Sequence, residues 1–193
     1  MQEFWSTNDD VQTRQNKFLK SEPEEIALTA TCIYISRGRP EKLLICNPSP
    51  DTWNSWMFPY GSQKMPSTPD LTLSGRSYFE VEDAVARLSS GETEFHKRLS
   101  KLGEMSGHPT GIQFQTLYTS FEFKTSKSSG LRTLYVFEYL IAKVDHEFEP
   151  AVEGVWVRAD GYSSTRNEID ALAEKRDMAV EGNVFDALKI AMG

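Results

Sequence analysis

Two groups of acidic side chains and one lysine carry the chemistry this sequence offers. Glu80 and Asp83 are three residues apart and share one face of any helix they occupy, with Glu82 between them. Glu92 and Glu104 bracket a second stretch, in which Lys101 precedes Glu104 by three positions. Carboxylates converging on one helical face can hold Mg²⁺ or Mn²⁺, hard cations that need several oxygen ligands. Acids on short helices are also simply solvated faces. Lys101 opposes the metal reading. At ~4 Å and an effective dielectric of ~20, each unit-charge contact costs about 4 kcal/mol, doubled for a dication. An ammonium can instead meet a phosphate, a role Arg98 and Lys97 could share. Trp53, Trp56 and Tyr60 are candidates for stacking on a base; Trp53 is the better of the two tryptophans, since core packing is at least as good a reading of Trp56.

Other chemistries lack their residues. His96, His108 and His146 have no metal-ligand spacing and read as surface histidines. There is no GxSxG, P-loop or GxGxxG pattern. Cys32 and Cys46 lie inside apolar runs and read as buried, reduced thiols, with no CxxC to suggest zinc. Glu147, Glu149 and Glu153 read as an acidic solvated loop. A net charge of -7 disfavours a general grip on nucleic acid. No apolar run approaches the ~18 residues of a membrane span. Trp5, Asn8, Asp9 and Asp10 stand where a signal peptide would need basic and then apolar residues, so a cytoplasmic setting is expected.

The elements that must position these residues follow from the hydrophobic pattern. Residues 1–25 read as a polar N-terminal arm, with a short helix around 11–19 or none, and 26–193 as a single domain. Residues 26–36 are β-branched and apolar, a buried strand; 43–46 is its hairpin partner across Gly38-Arg39-Pro40. Residues 62–79 are rich in Ser, Pro, Thr and Gly and read as loop, part of an insertion at about 62–90 with a short helix at 80–88. A helix is predicted over 93–102, with Phe95, Leu99 and Leu102 on one face. Residues 112–124 and 131–144 form the strongest hairpin, 155–157 a further strand, and 165–178 and 183–192 two closing helices. The expected fold class is α+β, with a mixed central sheet.

The segment Trp56-Met57-Phe58-Pro59-Tyr60-Gly61, then Gly91-Glu92-Thr93, then Leu102-Gly103-Glu104-Met105-Ser106-Gly107, resembles the signature of Nudix hydrolases. In that family the box reads G, five residues, E, seven residues, R-E-U-x-E-E-x-G-U, with U aliphatic. Counted from Glu92, Leu102, Glu104 and Gly107 match; Ser100 stands for the arginine, Lys101 for the first catalytic glutamate and Met105 for the last. A rival register places Phe79-Glu80-Val81-Glu82-Asp83-Ala84 on R-E-U-x-E-E. The resemblance implies an α/β/α sandwich and, where the box is intact, metal-dependent hydrolysis of nucleoside diphosphate derivatives. It also implies a homodimer as one form of association. The degenerate box leads us to expect no Nudix-type hydrolysis and no metal. The expected ligand is nucleotide-like or phosphorylated, bound by Lys101, Arg98, Trp53, Tyr60 and Glu104, or the partner is a protein. The alternative is an active enzyme whose Mg²⁺ or Mn²⁺ site is rebuilt from Glu80, Asp83, Glu92 and Glu104, with Glu82 beside them.

Overall fold

A computed structural model describes residues 4–5, 22–51, 54–67, 80, 83–84, 86–87 and 91–192. The elements whose bounds are described follow one another as β1 (Phe4–Trp5), β2 (Glu25–Ser36), β3 (Lys42–Asn47), β4 (Ser55–Trp56), β5 (Tyr60–Pro66), α1 (Glu92–Ser106), β6 (Gln115–Thr125), β7 (Arg132–Val144), β8 (Glu153–Arg158), α2 (Tyr162–Arg176), β9 (Ala179–Val180) and α3 (Gly182–Met192). The main sheet is mixed, with strand order β1-β6-β7-β2-β3-β8 and β5 also paired to β2. The fold class is α+β, as the pattern of the sequence predicts.

β2 is buried from Ile26 to Ser36 without a break. Its run of Ile, Ala, Leu, Thr, Cys and Tyr, rather than an alternation of apolar and charged residues, is what a strand covered on both faces requires. β3 is paired to it antiparallel, Ile35 opposite Leu43 and Ser36 opposite Lys42. β8 extends the same edge, running from Lys42 opposite Arg158 to Asn47 opposite Glu153. Both thiols, Cys32 and Cys46, are free and buried. Burial keeps them protonated, pushing Cys46 up to about 12.

Segment 60–66, read from composition as loop from residue 62 onward, is strand β5 instead. Its side chains are mostly polar and half-exposed, so the hydrophobic pattern gave no signal; backbone pairing to β2 decides it. The two-residue parallel pair β4–β9, Ser55 opposite Ala179 and Trp56 opposite Val180, is likewise invisible to pattern. α1 is longer than predicted, reaching Ser106. The expected helix at 11–19 and much of the 62–90 insertion lie outside the described residues.

The chain divides into two compact units, 1–29 with 62–99 and 119–138, and 30–61 with 100–118 and 139–193. In the first, Lys64 Nζ donates to Ser126 Oγ and Ser128 Oγ, each at 2.9 Å, and pairs with Glu25 at 3.0 Å, pinning β5 to the β6–β7 turn. In the second, α2 buries Thr165, Ile169 and Ala173 at four-residue spacing. It ends at Asp177, in the left-handed region at φ 52, with the Met178 N–H donating to the Ala173 carbonyl. α3 buries Val184, Ala187 and Leu188. Within the same unit β8 is packed so closely that a Cβ on Gly154 would lie 2.6 Å from Pro150 Cγ and 3.2 Å from Cys46 Sγ. Gly154→Ala is therefore expected to cost about 1–3 kcal/mol as an overpacked site. A urea unfolding midpoint equal to wild type would contradict that packing.

Candidate functional site

α1 positions most of the candidate residues. Phe95, Arg98, Leu99, Leu102 and Ser106 recur at helical spacing and are buried or half-buried; Lys101 and Glu104 occupy the opposite, exposed side. The helix stops at Gly107, whose φ of +68 only glycine adopts without strain, and the Gly107 N–H donates to the Gly103 carbonyl at 2.8 Å.

In the second unit the start of β5 meets the end of α1. The Tyr60 backbone N–H donates to Met105 Sδ at 3.3 Å. Pro59 O accepts from Cys32 N–H at 2.9 Å, and Met57 and Cys46 exchange two backbone bonds at 2.8 and 2.9 Å. These contacts tie the 56–61 segment to β2 and β3. Tyr60 is half-buried; burial first, and then the Glu181 carboxylate, raise its phenol above the ordinary value. Trp56 is wholly buried, as expected of a core residue, with the Arg176 guanidinium 5.4 Å from its ring centroid. Arg176 pairs with Glu153, which also accepts from Asn47 Nδ2 at 3.1 Å. Glu153 is thus engaged in structure, and Glu147 pairs with Lys42 at 2.9 Å.

Arg98, read from the sequence as a ligand contact, is interior. Its side chain is 1% exposed and bridges to Glu138 at 3.4 Å, over the Phe95 ring at 5.6 Å. Burial lowers its pKa and Glu138 opposes that shift; the guanidinium stays charged. Lys97 is engaged with Glu94 at 2.9 Å, and Glu94 in turn accepts from Gln63. Trp53 and Glu82 lie outside the described residues. Glu80 and Asp83 are exposed helical residues of the first unit, Glu92 opens α1 there, and Glu104 belongs to the second. Among the described residues no group of three or more His, Cys, Asp or Glu side chains is placed to hold a metal ion.

His108 is not the surface residue its isolation in the sequence suggested. Its Nδ1 lies 2.7 Å from Tyr34 Oη and 2.9 Å from Ser106 Oγ. A serine beside an imidazole invites comparison with a nucleophile and its base. Ser106 is 0% exposed, however, so no substrate reaches its oxygen, and the pair is structural. The signal missed was spatial: Tyr34 is 72 positions from Ser106.

No protein-family profile matches the sequence, and no curated protein matches it. Solved structures do resemble the chain in three dimensions. The Nudix domain of Shewanella oneidensis NrtR, complexed with ADP ribose, is 14% identical over 97% of each chain with a TM-score of 0.43. A Nudix hydrolase from Alicyclobacillus acidocaldarius is 10% identical, covering 85% of this chain and 90% of that one, with a TM-score of 0.49. The C-terminal domain of mouse MUTYH in complex with human PCNA is 13% identical, with 86% of each chain covered and a TM-score of 0.42. Several of the solved structures it resembles are described as Nudix proteins. At these identities, residue roles rest on the geometry of this chain.

In the Glu92 register the Nudix positions fall on one continuous helix and its terminating glycine, Gly107. Three residues stand where that resemblance would set acidic positions. Lys101 is an ammonium, Met105 a thioether already accepting a backbone N–H, and Glu104 a single carboxylate. Mg²⁺ and Mn²⁺ need several oxygen donors, and these three side chains offer one carboxylate between them. Among the described residues no helix is long and apolar enough to cross a membrane.

Proposed function

We propose that this chain is a Nudix-like module that binds a phosphorylated, nucleotide-like ligand and does not hydrolyse it by the metal-dependent route. The observation that carries the reading is Met105. It sits at the last acidic position of the box, and its sulfur accepts the Tyr60 N–H across to β5. A thioether engaged in this way holds the helix against the strand but cannot take a hard cation. On the same helix Lys101 is exposed at i−3 from Glu104 and i−4 from Met105, so the face offers a positive charge where the box would gather negative ones. An ammonium there suits a phosphate oxygen, and the half-buried ring of Tyr60 offers a surface for a base. Binding in this way needs no metal.

Thermal-shift screening of ADP-ribose, nucleoside diphosphates and dinucleoside polyphosphates in EDTA tests binding. Stabilisation that is lost in Lys101→Ala supports the reading; an unchanged shift in that variant removes Lys101 from it. Release of nucleoside monophosphate from the same compounds by the native chain in Mg²⁺ or Mn²⁺ would overturn the non-hydrolytic part and revive a rebuilt carboxylate site.

The converse variant provides a gain-of-function check. Lys101→Glu with Met105→Glu places three carboxylates, at 101, 104 and 105, on one helical face. The double variant is expected to acquire Mn²⁺ affinity at least tenfold above the native chain by calorimetric titration. Equal, weak affinity in both would show that the two replacements are not what deprives this face of metal.

A further inference from the structure

We infer that Tyr34, Ser106 and His108 form a protonation-sensitive latch, which holds the last turn of α1 closed while the His108 ring is neutral and loosens it when the ring takes up a proton. The latch stands apart from the ligand reading, since it is built from two buried hydroxyls and a half-buried ring and is read without a ligand.

The three polar atoms make a triangle: Nδ1 to Tyr34 Oη at 2.7 Å, Nδ1 to Ser106 Oγ at 2.9 Å, and Oη to Oγ at 3.2 Å. The His108 backbone N–H adds a donation to Ser106 Oγ at 3.3 Å. Tyr34 and Ser106 are fully buried, so both hydroxyl hydrogens need acceptors, and the only one beside Tyr34 outside the triangle that the geometry gives is the Cys32 sulfur, a weak acceptor. One hydroxyl donates to the other oxygen, and the second finds its strongest acceptor in a bare Nδ1. This assigns the Nε2–H tautomer to the neutral ring. Protonation turns Nδ1 into a donor. Three hydrogens then face two oxygens, and the displaced hydroxyl is left with the sulfur of Cys32, which neighbours Tyr34 and is a weak acceptor.

The position of the cluster makes that loss consequential. Ser106 is the final residue of α1, and the His108 ring covers Gly103, where a Cβ would meet its Cε1 at 3.3 Å. Three elements supply the neighbours of the ring among the described residues. β2 presents Tyr34, α1 presents Ser106 and Gly103, and the segment before β6 presents Phe114, whose ring centroid is 5.4 Å away. Phe148, after β7, packs on Tyr34 at 5.4 Å. Of these, Tyr34 titrates, and burial raises it far beyond the physiological range, as it does Cys32. No carboxylate or cation enters the causes of the His108 shift, which is burial, and its direction is down from 6.5.

The sign follows from linkage. A base whose folded pKa is depressed contributes its stability fully above the unfolded value and loses it as pH falls through the folded one. The decline therefore begins near pH 6.5 and deepens below it. Two measurements on the full chain test the latch. Ring ¹⁵N spectra at pH 8 are expected to show His108 with hydrogen on Nε2 alone; hydrogen on Nδ1 overturns the proposal. The exchange protection of the Gly107 amide, corrected for intrinsic rate, is expected to fall by up to tenfold per pH unit below 6.5 in the native chain and to stay flat in His108→Asn. In that variant the amide oxygen replaces Nδ1 as a non-titrating acceptor. A parallel fall in both proteins overturns the proposal. Should His108→Asn fail to fold, the ring spectra on the native chain still decide.

Discussion

Replacing Gly107 with alanine is expected to lower the stability of the folded chain by about 3 kcal/mol. Two separate costs add at this position. A φ of +68 places any L-residue in the left-handed region, at about 1–2 kcal/mol. The new Cβ would also lie 2.9 Å from Ala151 N and 3.0 Å from Glu149 O. Those are backbone atoms, which cannot rotate aside as a side chain would, and overpacking of this kind costs a further ~1–3 kcal/mol. Gly111 separates the two terms. Its φ is +82, yet nothing lies within 4 Å of its Cβ position, so Gly111→Ala is expected to show the conformational cost alone. Urea titrations of both variants read the difference directly. If they lose equal stability, the approach of the 149–151 backbone to Gly107 is not the tight contact described.

The second large effect concerns the interior ion pair of the first unit. Glu138→Leu is expected to destabilise the chain by about 3 kcal/mol, because it removes the carboxylate that bridges to the Arg98 guanidinium, whose side chain is 1% exposed, and leaves Glu94 as the carboxylate still acting on it. Glu138 is itself 20% exposed on its side chain, which places the expectation at the lower end of the range for buried pairs. Removing both charges, as Arg98→Met with Glu138→Leu, should recover most of the loss, since an apolar pair of similar volume avoids the desolvation of both ions. A double-mutant cycle by chemical denaturation measures the coupling. Coupling below about 0.5 kcal/mol would mean that Arg98 is held mainly by packing against Phe95 and by its other neighbours.

How much of this was legible beforehand depends on what kind of contact each feature rests on. β2 and β3 announced themselves as unbroken apolar runs that are buried throughout, β6 and β7 as a hairpin of apolar and aromatic residues, and the closing helices by apolar residues at helical spacing. β5 did not, because Ser62, Gln63 and Lys64 carry no apolar pattern and the strand exists through its backbone bonds. The resemblance to the box rests on a spacing, and in the Glu92 register its glycine falls on Gly107, at the end of α1. The meaning of Met105 was not readable, since a methionine in a sequence does not say that Tyr60 donates to it. Arg98 shows the opposite limit. An arginine beside Lys97 and Lys101 looks like part of a basic face, yet helical rotation turns it inward while Lys101 points out. His108 and Tyr34 are joined only by folding, so nothing in their local sequence could couple them.

The place of β2 in the sheet bears on how the chain reaches its fold at all. β2 has β3 on one side, a hairpin neighbour available almost as soon as both are made, and β7 on the other. β7 follows it by about a hundred residues, so that edge of an almost wholly apolar strand must wait through most of synthesis for its partner. Pairings so distant in sequence close slowly, and the waiting edge is a template for any other extended apolar segment. Before β7 arrives, crowding and concentration therefore govern the yield of folded chain more than the stability finally reached.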